Sequence, residues 1–331
     1  MTYILFSVPI FALLLTGIFI LLRLRKPSRR YTGPASVSNV YDAWTSDPKM
    51  KFYWGNHLHA GFYGQPPVQK DFIRAKFDMI DEMVRWGIAQ PDPALTERLE
   101  TPNADTPRIK ILDVGCGVGG TALHLAQRWP TSVHITGITI SSAQARQATG
   151  LARSCGQNNV TFIECDAMKP AFASQSFDII WALESEMHMP DKECFLGEVV
   201  KLLKPGGWLL MATWNVRDTR SISLSASETE HIQYLLDEWC HAKFDSIPEY
   251  VQLLKRHGLQ KVVSEDWTAA TLPSWREAVL VALRDRRGLV WTENVWWRNA
   301  RDAYTILRYD SAFRKGLCQY GLFRGQKPFS S

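Results

Sequence analysis

No two cysteines in the 331-residue chain stand in a CxxC spacing; the six, at 116, 155, 165, 194, 240 and 318, are scattered and form no Cys/His cluster. Neither a disulfide framework nor a zinc site is expected, and the cysteines read as reduced thiols of a cytoplasmic-type compartment. The sequence has no internal repeat and no tract of low complexity. Charge is missing altogether from Tyr3 to Leu22, YILFSVPIFALLLTGIFILL, and no Lys or Arg precedes that run. A cleavable signal peptide carries its basic residues first, so this run is not one.

Basic residues stand directly after the run: Arg23, Arg25, Lys26, Arg29 and Arg30. About 20 apolar residues in a helix match the hydrocarbon thickness of a bilayer, and Pro9 and Gly17 are tolerated there. The expectation is a single-pass transmembrane anchor with the rest of the chain on the cytoplasmic side. The alternative, a helix buried in a soluble core, fits poorly with the Pro/Ser/Gly-containing linker after residue 23. Hydrophobic residues make up 46% of the chain, enough for a large core.

The most informative stretch is ILDVGCGVGG, Ile111 to Gly120. A short apolar strand ends at Asp113, glycines follow at 115, 117, 119 and 120, and the helical run Thr121 to Arg128 comes next. Glycines there let backbone N–H groups approach a ligand, and a helix N-terminus favours electron-rich groups. Gly115, Gly117 and Gly120 satisfy GxGxxG, but a dinucleotide site also needs an acid about 20 residues on. That window, HITGITISSAQ from His134 to Gln144, has none. The carboxylate sits inside the motif instead, at Asp113, where it repels a diphosphate and suits a cationic ligand. S-adenosylmethionine (SAM), with an ammonium and a sulfonium, fits that charge pattern; a tight turn without ligand is the bland alternative.

Further on, helix Ser142–Cys155 precedes strand Val160–Glu164 and Asp166-Ala167. Strand Phe177–Trp181, helix Asp191–Leu203, the turn Lys204 to Gly207 and strand Trp208–Thr213 follow. The alternation predicts an α/β, doubly wound parallel sheet with ligand at the carboxyl ends of the strands. These segments resemble the class I, Rossmann-like SAM-dependent methyltransferases. Asp113, Gly115, Cys116, Gly117 and Gly119 match their first motif, Asp166 and Ala167 their adenine-side position, and LLKPGG their late turn. In place of the missing acid stands GITISxxQ, as in the branch containing tocopherol, sterol and cyclopropane-forming methyltransferases. That likeness implicates Thr139, Ile140 and Gln144 in holding the cofactor.

Two other segments carry candidate chemistry. In WALESEMHMPDK, Trp181 to Lys192, Glu184, Glu186 and His188 follow the fourth strand near its carboxyl edge. Carbon methylation of a phenol needs a base near working pH, and histidine is the default choice. His188 is the expected base with Glu184 orienting or sharing the role; a helix-capping His188 is the alternative. In the region Val40 to Gly87, Trp54, His57 and His59 stand among Tyr53, Phe62 and Tyr63. They are expected to wall the acceptor pocket, with His59 near the chemistry, or else to be hydrogen-bonded structural groups; no further ligands suggest a metal. Residues 275–331 hold eleven Lys/Arg against five Asp/Glu, a net +6 against +5 for the whole chain, interleaved with Trp291, Trp296, Trp297, Tyr304 and Tyr309. A membrane-facing surface and an ordinary solvated face over buried tryptophans both fit. Binding of nucleic acid has no support from an anchored chain.

Over its full length the chain resembles a subgroup of that branch, the methyltransferases of 2-methyl-6-phytyl-1,4-benzoquinol, which are similar to gamma-tocopherol methyltransferases. The resemblance rests on YDAWTSD at 41–47, YWGNHLHAGFYGQPPVQKDFI at 53–73 and LDVGCGVGG at 112–120. GITIS at 137–141, HMPDK at 188–192, WTAATLPSW at 267–275 and KGLCQYGLF at 315–323 extend it. It implies C-methylation of a membrane-borne prenylated hydroquinone in tocopherol or prenylquinone synthesis. Glu186 departs from the small residue expected there and is taken as substrate-facing. The expected division is an anchor and basic flank (1–30), a substrate or lid segment (31–100), a SAM-binding core (101–270) and a helical, Trp-rich C-terminal extension (271–331). Tocopherol, sterol or acyl-lipid acceptors are alternatives, and a non-catalytic scaffold of the same fold is another.

Overall fold

The computed structural model describes residues 17, 19–103, 106–285, 287 and 296–329. The expected span Tyr3–Leu22 falls mostly outside them; among the described residues no helix is long and apolar enough to cross a membrane.

At the centre lies a seven-stranded sheet built from β1 (Ile109–Val114), β2 (Val133–Thr139), β3 (Val160–Glu164), β4 (Phe177–Leu183), β5 (Leu203–Val216), β6 (Gln260–Asp266) and β7 (Cys318–Gln326). Their order is β3-β2-β1-β4-β5-β7-β6. The first five run parallel, while β7 is antiparallel to both β5 and β6. β1 and β4 are buried on both faces, as strands covered by helices on either side must be. The strand order reverses between β1 and β4, and a crevice opens at their carboxyl ends.

Before the sheet come α1 (Pro34–Thr45), α2 (Pro48–Trp54), α3 (Phe72–Val84) and α4 (Pro93–Glu100). Asp47 caps α2 by accepting from the Lys49 N–H, with Pro48 in the first turn, and Asp71 caps α3 through the N–H groups of Ile73 and Arg74. Between and after the strands lie α5 (Gly120–Arg128), α6 (Ser142–Ser154), α7 (Lys192–Leu202), α8 (Ala226–Glu238), α9 (Ile247–Arg256), α10 (Thr268–Thr271), α11 (Pro273–Arg284) and α12 (Trp296–Arg314).

Two sequence expectations change. Lys204 to Gly207 is not a free turn but a bulge within β5, because Phe177 pairs with Leu203 and Ile179 already with Trp208. The C-terminal segment, expected to be helical, also carries a strand, since its β7 joins β5 to β6. Tyr309 is fully buried, stacked on Trp275 at 4.9 Å and 8° and on Trp239 at 4.5 Å and 28°. Trp214 of β5 meets the same ring at 4.9 Å. Tryptophans far apart in sequence thus form one aromatic layer between β5, α8, α11 and α12; of the other aromatics of this segment, Trp291 lies outside the described residues.

Candidate active site

The crevice at the carboxyl ends of β1 and β4 is the mouth of one cavity of about 470 Å³. Its polar end is built by the β1–α5 turn. Gly115 has φ +72°, and a Cβ there would overlap the Ser185 side chain. Gly120 opens α5, where a Cβ would strike the Asn56 carbonyl, so the 56–60 segment crosses directly over the glycine loop. Asp113, Gly115, Cys116, Gly117, Thr139, Ile140, Gln144, Asp166 and Ala167 all line this cavity. Gly119 does not: it caps α5 in the left-handed region, where a Cβ would lie 2.6 Å from Phe162. A glycine there lets α5 pack on β3.

Several buried polar atoms around this end have no partner among the described residues: Oδ2 of Asp113, Nε2 of Gln144, Oγ of Ser185 and Oδ1 of Asn56. The Thr139 hydroxyl donates to Gln144 Oε1 at 2.7 Å, which fixes the amide and leaves its N–H₂ unused. Burial pushes the Asp113 carboxyl up to about 7, with only the Ala122 N–H opposing it. An orphaned carboxylate in a glycine-walled cradle calls for a cationic, hydrogen-bonding ligand. SAM fits: its ammonium suits Asp113, and Gln144 and Asp166 offer polar groups in the same cavity.

The chemistry-bearing residues after β4 fall on different sides. Glu184 has φ +52°, an uncommon conformation outside glycine, and lines the cavity. Its Oε1 accepts from the Ala60 N–H at 2.8 Å and from the Tyr320 hydroxyl at 2.7 Å. Burial raises its pKa to about 7 despite those bonds. His188 also lines the cavity, but neither nitrogen is free. Nδ1 lies 3.0 Å from the Cys240 carbonyl and so carries the proton, and Nε2 accepts from the Tyr41 hydroxyl at 2.9 Å. Burial lowers its pKa to about 4.

Glu186, expected beside the acceptor, requires correction. Its side chain is completely buried away from the cavity, paired with Lys192 at 2.9 Å and accepting from the Thr213 and Tyr250 hydroxyls. The short 3₁₀ turn Glu186–His188 rotates it toward α9, on the face of β5 opposite Trp214.

Trp54, His57 and His59 do wall the cavity. His57 Nδ1 and His59 Nε2 lie 3.3 Å apart, and His59 Nδ1 donates to the Ala60 carbonyl at 2.8 Å. Burial lowers His57 to about 3 and His59 well below its usual range. Lys76, unremarked in the sequence, is fully buried beneath them. It donates to the His57 and His59 carbonyls at 2.8 and 2.6 Å and lies 4.0 Å from the Trp54 ring centroid. The histidine pair is therefore the hydrogen-bonded structural arrangement, which leaves His59 no evident proton-transfer role. Among the described residues no group of His, Cys, Asp and Glu is arranged for a metal.

Besides Glu184 the cavity is lined by Trp44, Trp214, Trp239 and Trp275, by Ala278, Ala282 and Leu283 of α11 and Ile306 of α12, and by the charged Arg298 and Asp302. The roles of Tyr41 and Tyr320 as partners of these groups were not legible in advance: Tyr41 meets His188 across 147 residues and Tyr320 meets Glu184 across 136.

A family model described as a methyltransferase domain matches residues 105–275. The chain is 38% identical over 300 residues to a 2-methyl-6-phytyl-1,4-hydroquinone methyltransferase of Synechocystis sp., covering 90% of this chain and 89% of that one. It is 31% identical to the chloroplastic tocopherol O-methyltransferase of Arabidopsis thaliana, over 83% of this chain and 77% of that one. Among solved structures, the cyclase SpnF superposes with a TM-score of 0.69 at 22% identity, over 91% and 99% of the two chains. The geranyl diphosphate C-methyltransferase of Streptomyces coelicolor A3(2) gives 0.65 at 19%, over 91% and 99%. At such identities the last two show the fold alone.

Proposed function

The chain belongs to the methyltransferase family, and from that premise we propose that it methylates a ring carbon of a prenylated hydroquinone, 2-methyl-6-phytyl-1,4-benzoquinol, using SAM. The observation that carries this reading is the cavity itself, a single space lined by the Asp113 cradle, by Glu184 and by Trp44, Trp214, Trp239 and Trp275. A site of that form takes a polar donor at one end and an aromatic head with a long apolar tail at the other. The likeness to the Synechocystis enzyme supports the same acceptor.

SAM supplies an electrophilic methyl group on sulfonium, and transfer is governed by alignment of donor and acceptor. Asp113, Gln144 and the glycine turn hold the donor. Glu184, poised near neutrality, takes the phenolic proton, which raises electron density at the ortho carbon. That carbon takes the methyl as the C–S bond breaks, and its own hydrogen then leaves as a proton while the oxygen is reprotonated, restoring the phenol. Glu184 takes this role rather than His188, whose Nε2 is engaged by Tyr41 and whose imidazole stays neutral. The aromatic walls exclude water.

A phytyl tail of about twenty carbons, at ~0.8 kcal/mol per buried CH₂, holds the acceptor in a bilayer, so the enzyme gains from sitting there. The uncharged run Tyr3–Leu22 and its basic flank support a membrane tether with the catalytic part on the cytoplasmic side. Arg301, between α8 and the flank, donates to the carbonyls of Arg23 and Lys26 at 2.9 Å each and pairs with Glu238 at 3.1 Å, which would fix such a tether beside the cavity.

The test is product identification from detergent-solubilised full-length protein with labelled SAM, 2-methyl-6-phytyl-1,4-benzoquinol and, in parallel, gamma-tocopherol. A dimethyl phytyl quinol is the expected product. SAM binding with methylated tocopherol only would move the assignment to the chromanol acceptor.

A further inference from the structure

His241 follows α8 and lines the cavity. Only 2% of it is exposed, yet neither Nδ1 nor Nε2 has a hydrogen-bond partner among the described residues. Its ring is fixed on all sides by aromatics: stacked on His188 at 4.6 Å and 28°, and edge-on to Trp214 at 5.1 Å, with Phe244 at 5.3 Å. Its backbone is equally fixed, the N–H donating to the Leu236 carbonyl at 2.8 Å.

An imidazole held this firmly, with an N–H and a lone pair both unused, carries a desolvation cost that packing alone does not explain. A phenylalanine would fill the same space without it. The partner must come from what enters the cavity. The aromatic walls select a flat ring, and the only polar groups such a ring brings to this depth are its own hydroxyls.

We propose that His241 is a substrate-binding residue that hydrogen-bonds a ring hydroxyl of the acceptor and so sets which ring carbon faces the donor methyl. The proposal rests on the phenolic acceptor proposed above. His241 acts as a neutral partner and orients the ring. Proton removal stays with Glu184, which is bonded to Ala60 and Tyr320. A hydroxyl held by His241 fixes the rotation of the ring and with it the carbon presented to the donor methyl.

The experiment compares the full-length wild type with His241→Phe, which keeps ring and shape, and His241→Gln, which restores a hydrogen-bonding group. Each is assayed with the quinol and with its two monomethyl ethers, in which one hydroxyl can no longer donate. Binding of the same compounds to SAH-loaded protein is followed by quenching of the surrounding tryptophans. His241→Phe is expected to lose about tenfold in kcat/KM and in acceptor affinity with the quinol. With one of the two ethers it should lose nothing further, and His241→Gln should recover part of the loss, all three proteins keeping the same SAM affinity. Equal losses with quinol and both ethers, or none with any, overturn the contact. Wild type that binds the quinol without methylating it overturns the reaction and not the contact, and the binding ratios then decide.

Discussion

The hydroxyl of Tyr41, on a helix before the sheet begins, lies 2.9 Å from Nε2 of His188 at the end of β4. The two rings also meet edge to face at 5.3 Å between centroids. Because the Cys240 carbonyl holds Nδ1, His188 is a neutral acceptor for Tyr41 and so fastens α1 over the cavity. The Ser141 hydroxyl, bonded to Asp42 of the same helix, fastens it a second time at the start of α6.

From that arrangement, Glu184→Gln should lower kcat by roughly 10²–10⁴-fold, whereas Tyr41→Phe should lower it less than about tenfold. Both should leave the SAM affinity nearly unchanged. The pH profile of the wild type carries the sign. Glu184 must be ionised to accept a proton and burial raises its pKa to about 7, so kcat falls as pH drops through about 7 and is level above it. His188, lowered to about 4, adds no inflection in that range. An unaltered profile in Glu184→Gln would remove the carboxylate from this role.

Asp113 gives a second pH dependence of opposite consequence for the empty protein. Its carboxyl is raised from the ordinary 3.8 to about 7 by burial. The stability linked to its protonated form is full below pH ~4 and is lost as pH rises through about 7. The melting temperature without ligand should therefore decline over that window, and SAM should bind more tightly as pH rises through it. Asp113→Asn should flatten both trends and weaken SAM by about tenfold or more, read by scanning calorimetry and titration calorimetry.

Glu186 should behave as a structural residue. Glu186→Ala leaves the buried Lys192 ammonium without its carboxylate and the Tyr250 and Thr213 hydroxyls without their acceptor. A loss of about 3–5 kcal/mol in denaturant unfolding is expected. A stable variant with altered acceptor preference would instead restore the substrate-facing assignment.

A tail lying against the α11–α12 wall of the cavity predicts a dependence on tail length. Ala282→Trp narrows the cavity along that wall and leaves Asp113, Glu184 and the four tryptophans in place. It should reduce kcat/KM for the phytyl quinol by more than about tenfold and leave a quinol with a short prenyl chain close to wild type. Equal effects on both acceptors would place the tail elsewhere.

Much of the donor half was legible because it is local. Asp113, the glycines and α5 lie within sixteen residues, Asp113 to Arg128, and Thr139 with Gln144 within six. Their geometry follows from a strand, a tight turn and a helix start in succession. Gly119 is the instructive exception, since the same glycine pattern serves cofactor approach at 115 and packing on Phe162 at 119. The histidines were recognisable as interesting and not assignable, because whether an imidazole is free depends on a carbonyl such as that of Cys240 or Ala60.

By itself the sequence determined the alternating strands and helices and the acidic character of the donor site, each written in spacing over a few residues, and its motifs carried the resemblance to the methyltransferases. Only the tertiary structure decided that Glu184 faces the cavity while Glu186, two positions on, faces α9. It alone brought Trp214, Trp239, Trp275 and Tyr309 into one wall, and closed the sheet with a strand from the C-terminal segment. Those outcomes depend on a left-handed residue at 184, a 3₁₀ turn and contacts across a hundred residues or more of chain. Side-chain direction there is set by what packs against the turn, and no local period records it.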